Sequence, residues 1–123
     1  MAVAIGGALG SVARYGVGQL LQARGPATRF PLGTLAVNLS GCFVIGLLAG
    51  LLASDRLSLR VPGREFVFVG LLGGFTTFSS FGLETLFLAR GGSVGTAALN
   101  VAVQVGGGLV ATWLGYQLGA RPA

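Results

Sequence analysis

The chain has 123 residues, 53% of them hydrophobic and only 9% charged, with a mean hydropathy of +0.83. A soluble domain carries about a quarter charged residues, so the composition excludes one and leaves an all-α integral membrane protein with a single domain over residues 1–123. The absence of His and the single Cys exclude a metal-ligand cluster and a disulfide framework, and the net charge of +5, with every basic residue an Arg, reads as loop charge at lipid headgroups, not as a nucleic-acid surface.

A helix that crosses a bilayer needs roughly 20 predominantly apolar residues. Four segments meet that length, about 3–21, 31–53, 66–89 and 94–118. The first lacks a basic leader region and reads as a span, not as a cleavable signal; it ends before Gly25-Pro26. The second opens on Pro31, whose missing N–H is not needed in a first turn. The short linkers hold most of the charge: Arg24 and Arg29, then Arg56, Arg60 and Arg64 between Asp55 and Glu65, then Arg90 before Gly91-Gly92. Four spans put both termini and the second loop on one side, with Arg56, Arg60, Arg64 and Arg121 there against Arg24, Arg29 and Arg90 opposite. Orientation follows a difference in loop Lys and Arg, and so even a balance predicts insertion in both orientations and pairing as an antiparallel, dual-topology dimer. The plain alternative is one orientation fixed by other signals.

Polar groups inside hydrocarbon are costly and face the bundle interior or a pathway. In the first span Arg14 stands between Ser11 and Tyr15; it either snorkels to an interface or draws anions into a vestibule. In the second, Thr34 and Asn38 share a helical face, and an interhelical hydrogen bond or a pathway would each account for them. The fourth repeats Asn100, Gln104, Gly108 and Thr112 every four residues, a stripe that fits a hydrophilic track or a dimer seam. Small residues four apart at Gly6/Gly10, Gly46/Gly50, Gly70/Gly74 and Gly115/Gly119 mark close helix contacts. Cys42 reads as an inert buried residue and Glu84 as an interfacial carboxylate near Arg90.

The third span carries the strongest signal. Gly73-Gly74-Phe75-Thr76-Thr77-Phe78-Ser79-Ser80-Phe81 interrupts it near its middle. Lipid does not tolerate unpaired backbone groups, so such a break must face protein or a wet cavity, and broken helices at mid-depth are where transporters hold ions and substrates. The break points to transport. Phe78 and Phe81 share a face if the segment after the glycines is helical. Their ring edges, with the Ser79 and Ser80 hydroxyls and amide N–H donors, favour an anion, while freed carbonyls over Gly73 to Thr77 would suit a hard cation such as Na⁺.

Three stretches, Gly6 to Tyr15 (GGALGSVARY), Gly33 to Phe43 (GTLAVNLSGCF) and Gly70 to Phe81 (GLLGGFTTFSSF), closely resemble the Fluc/CrcB family of fluoride channels, in order and over nearly the full length. The resemblance implies a passive, highly selective fluoride channel in the cell inner membrane that relieves fluoride toxicity, built as an antiparallel homodimer with two pores at the subunit interface. It implies that Asn38, Phe78, Ser79, Ser80 and Phe81 line the path, with Thr34, Asn100 and Gln104 completing the polar track. It implies Arg14 at the vestibule and a structural Na⁺ held by the Gly73 and Thr76 carbonyls at the two-fold. Asn100 and Gln104 depart from the Tyr and Ser that the family commonly carries in the fourth span. The rival readings are a four-span drug/proton antiporter, which would need a membrane-embedded carboxylate that the first span lacks, and a non-conducting accessory subunit. An enzyme finds no nucleophile–base pair.

Overall fold

The computed structural model describes residues 1–24 and 30–122, apart from the side chains of residues 22–24. Arg29, the Arg24 side chain and the Gly25-Pro26 stop expected after the first span lie outside the described residues. Regular structure among the described residues is helical throughout: α1 (Ala2–Arg24), α2 (Leu32–Ala53), α3 (Val61–Arg64), a π-helical segment (Glu65–Leu71), α4 (Leu72–Phe75), α5 (Phe78–Arg90) and α6 (Val94–Ala120). The four expected spans therefore correspond to α1, α2, the run from α3 to α5, and α6.

Several boundaries differ from the sequence reading. Pro31 is the N-cap of α2, with ψ 71°, and not its first helical residue; its carbonyl accepts from Leu35 N–H at 3.1 Å. The third run starts at Val61 because Pro62 occupies the first turn, the position that its fixed φ suits; apolar content alone placed the start at Phe66. The π segment was not legible in the sequence. At the far end, α5 closes on Gly91 and then Gly92, whose φ of +85° needs a residue without Cβ.

Among the described residues, three helical stretches, Leu32–Ala53, Val61–Arg90 and Val94–Ala120, are long and apolar enough to cross a membrane, with mean hydropathies of 2.2, 1.6 and 1.5. The 23 residues of α1 span about 34 Å at 1.5 Å each, but Arg14, Gln19 and repeated glycines dilute its apolarity. The outer faces are apolar, with Val12, Phe87, Leu109 and Trp113 all exposed, and the few fully buried apolar side chains include Val37, Leu72 and Leu88. Among the described residues, the buried polar side chains are Asn100 and Gln104. Apolar groups outside and amides inside are the arrangement that hydrocarbon solvent selects.

Glycines set the helix contacts. A Cβ on Gly46 or Gly50 would strike the backbone of α6 at Thr112, Tyr116 or Gly119, and one on Gly115 or Gly119 would strike α2 at Phe43, Leu47 or Gly50. Gly6 and Gly10 press in the same way on Phe66, Gly70 and Leu71, and Gly70 and Gly74 press back on Val3, Gly6 and Gly7. All four expected small-residue pairs thus sit at backbone contacts, α2 with α6 and α1 with the third run. The second loop and the C-terminus meet at one end, where Ser54 Oγ donates to the Gly119 carbonyl at 3.0 Å and Arg56 Nη1 to the Arg121 carbonyl at 3.1 Å.

Gly115→Ala is expected to destabilise the protein by about 1–3 kcal/mol through overpacking against Phe43 and Leu47. Gly106→Ala, where a Cβ meets nothing within 4 Å, is expected to be neutral or mildly stabilising. Thermal unfolding in detergent separates the two, and equal melting temperatures would contradict the packing account.

Candidate functional site

The helix breaks at Thr76 and Thr77, which are extended (φ/ψ −83°/155° and −149°/118°), while Gly73 and Gly74 remain helical within α4. Thr77 then caps α5: its side chain accepts from Ser80 N–H at 3.2 Å and its hydroxyl lies 3.1 Å from Ser80 Oγ and 3.4 Å from Ser79 Oγ. A hydroxyl residue three positions before a polar one is a common helix start. Here it follows directly on extended backbone, so the α5 N-terminus, with its positive end, opens at the break.

Side chains from two other helices hold this break. The Asn38 amide pairs with the Thr77 peptide in both directions: Thr77 N–H donates to Oδ1 at 2.8 Å, and Nδ2 donates to the Thr77 carbonyl at 2.9 Å. In a continuous helix the Thr77 N–H would point back at the Gly73 carbonyl; the bond to Asn38 takes it away. From α1, Arg14 Nε donates to the Gly74 carbonyl at 3.0 Å. Arg14 therefore holds the end of α4, two residues before the break. Thr76 Oγ1 folds back onto the Leu72 carbonyl at 3.0 Å.

A cavity of about 440 Å³ opens beside the break, its walls including Asn38, Thr76, Thr77, Phe78, Phe81 and Gln104, with Cys42 also at its edge. Phe78 is 80% exposed and Phe81 7%, and their ring centroids lie 5.3 Å apart with planes tilted by 59°. The cavity is mostly apolar with a few converging donors, the usual character of a selective site. Ser79 is exposed and Ser80 half-buried beside it.

The fourth-span amides lie deeper. Asn100 is 0% and Gln104 7% exposed. Gln104 Oε1 accepts from Asn38 Nδ2 at 3.0 Å, Gln104 Nε2 reaches Asn100 Oδ1 at 3.4 Å, and Asn100 Nδ2 donates to Thr85 Oγ1 at 2.9 Å. Thr34, a turn before Asn38, donates to Glu84 Oε1 at 2.8 Å. Glu84 is thus tied to α2, not to Arg90 as its position suggested, and its Oε2 is buried without a hydrogen-bond partner among the described residues. Thr85 is the residue that sequence reasoning missed, and Glu84 is the one it placed at the interface; their spacing behind Phe81 (four and three residues) puts them on its helical face.

Membrane-length helices packed around a broken helix, with a polar lining buried inside an apolar exterior, define a small multi-pass membrane protein of the transport class. Residues 1–116 match the family described as CrcB-like protein, Camphor Resistance (CrcB), and the chain belongs to that family. It is 51% identical to a protein of Methylobacillus flagellatus over 96% of this chain and 91% of that one. It is 50% identical to one of Thermus thermophilus over 95% and 91%, and 50% identical to one of Opitutus terrae over 93% and 86%. Each of these relatives is named a fluoride-specific ion channel, FluC.

Proposed function

We propose that this chain is a passive, selective fluoride channel, and not an enzyme, that lets fluoride leave the cell across the inner membrane and so relieves its toxicity. Half-identity across nearly the whole chain to proteins named fluoride-specific channels carries the reading. The site's chemistry supports it. Fluoride is small and strongly hydrated, and stripping its water is costly unless other donors replace it. The positive end of α5 and the edges of Phe78 and Phe81 supply such partners at the cavity, and the Ser79 and Ser80 hydroxyls stand outside its lining in the first turn of α5. Asn38 and Gln104 add their amides at the cavity wall, with Asn100 behind Gln104 and Thr34 a turn from Asn38. Chloride is excluded by width and by poorer bonding, the two terms that set selectivity in channels.

The proposal extends to the assembly. The cavity is open on one face and Phe78 is largely uncovered; a second copy packed in the opposite orientation would close both, consistent with the even loop-charge balance. Lipid covers the remaining apolar exterior. The residues also fit a structural Na⁺ at the two-fold: the Gly73 carbonyl has lost its in-helix donor to Asn38, and Gly73 is exposed. The Gly73 and Thr76 carbonyls would hold the ion, which supplies a fixed positive charge tying two copies together.

Expression in a bacterium stripped of its own fluoride export is expected to restore growth on fluoride medium. Sensitivity equal to that of cells without the protein would count against the proposal.

A further inference from the structure

Beside the return bond from Asn38 Nδ2 to the Thr77 carbonyl, one chain of hydrogen bonds leads away from the break in a single direction. Thr77 N–H is a backbone donor, so Asn38 must present Oδ1 to it and Nδ2 to Gln104. Gln104 must then offer Oε1 to Asn38 and Nε2 to Asn100, and Asn100 offers Oδ1 to Gln104 and Nδ2 to Thr85. The Thr85 hydroxyl ends the chain by donating to the Phe81 carbonyl at 2.7 Å. The chain leaves the third run at Thr77, crosses α2 and α6, and returns to it at Thr85 and Phe81. Both protons of Asn38 Nδ2 are spent within it, on Thr77 and Gln104. Asn100, at 0% exposure, and Thr85 stand outside the cavity lining, while Gln104, 7% exposed, reaches its wall.

We propose that Thr85, Asn100 and Gln104 are positioning residues that set ion selectivity: their strap fixes the first two turns of α5 against α2 at one end and α6 at the other. It thereby aims Phe78 and Phe81: Thr85 and Asn100 act from outside the cavity, and Gln104, at its wall, links them to Asn38. The inference rests on the fluoride-channel reading above and deepens it. Hydrogen bonds that all point one way polarise one another, and a buried network missing one member leaves the others orphaned. Breaking it at Thr85, which neither lines the cavity nor carries charge, loosens the tilt and rotation of α5 where the two rings are mounted. A selective width is then lost before the fold is.

The test is the ratio of fluoride to chloride efflux from liposomes carrying wild type, Thr85→Val and Thr85→Ser. Thr85→Val, isosteric but without the hydroxyl, is expected to lower the ratio by about tenfold, the scale of one lost buried hydrogen bond. Thr85→Ser, which can still accept from Asn100, is expected to recover most of it. A Thr85→Val ratio equal to that of wild type overturns the strap, because a merely structural role lowers the yield of folded protein without moving selectivity. Should Thr85→Val fail to fold, amide exchange in the wild type decides. Thr77 N–H protected as well as the amides inside α5 supports the strap, and Thr77 N–H exchanging like a loop amide overturns it. Wild-type liposomes that pass no fluoride would sink the channel reading instead, and the Thr77 exchange would still test the strap.

Discussion

Asn38→Asp is expected to abolish fluoride efflux while leaving the helices in place. Asn38 Nδ2 donates to the Thr77 carbonyl and to Gln104 Oε1; a carboxylate has no proton for either. Gln104 can turn its amide over and donate to the new carboxylate, which reverses the chain as far as Thr85. The Thr77 carbonyl is backbone and has no such escape. Each acceptor left facing another costs about 1–3 kcal/mol, and the oxygen pair pushes the Thr77 segment away from α2. In addition a negative charge then stands beside a path for anions, where like charge raises the barrier directly. Either effect alone corresponds to a loss of tenfold or more, since about 1.4 kcal/mol is one decade in rate. Efflux from liposomes with Asn38→Asp checks it, and a rate near that of the wild type would remove Asn38 from the path and from the clamp.

The second large effect concerns the two rings. Phe78→Ile is expected to cut fluoride efflux by about tenfold or more with little change in the melting temperature of the isolated chain, because an aromatic edge offers an anion a positive rim that an aliphatic side chain lacks. Phe78 is 80% exposed, so few contacts within the chain depend on it. Phe81→Ile is expected to lose flux too, but with a stability cost of about 1 kcal/mol or more, since Phe81 is only 7% exposed and the replacement leaves space behind. Efflux and thermal unfolding measured on both variants separate conduction from packing. Wild-type flux in Phe78→Ile would reduce that ring to a lipid or subunit contact.

The parts of this architecture that were legible in the sequence follow from rules one residue long. Apolar runs gave the helices, glycines four apart gave the backbone contacts of α2 with α6 and α1 with the third run, and Gly73 to Phe81 gave the break. The glycines of that stretch do not themselves unwind. The chain leaves the helix two residues later, because Asn38 offers the Thr77 peptide a better partner than the Gly73 carbonyl does. That preference belongs to a tertiary contact 39 residues away and leaves no local mark. Arg14 is similar: its place in the first span says that it is costly, not that the Gly74 carbonyl is its partner. Glu84 looked interfacial because its neighbours in sequence are near a helix end, yet Thr34 draws it inward. Thr85 gave only its spacing from Phe81, a weak mark, since a Thr on a membrane helix commonly bonds back to its own carbonyls, as Thr112 does to Gly108 at 2.9 Å.

The measurement that bears most directly on the central claim is efflux from liposomes reconstituted with the purified wild-type chain alone, loaded in parallel with fluoride and with chloride. Rapid loss of fluoride with chloride retained is the predicted result, and it would establish selectivity and the sufficiency of one kind of subunit together. Liposomes that hold fluoride as tightly as protein-free ones, despite folded protein in the bilayer, would contradict the account and shift weight to an accessory role beside another subunit.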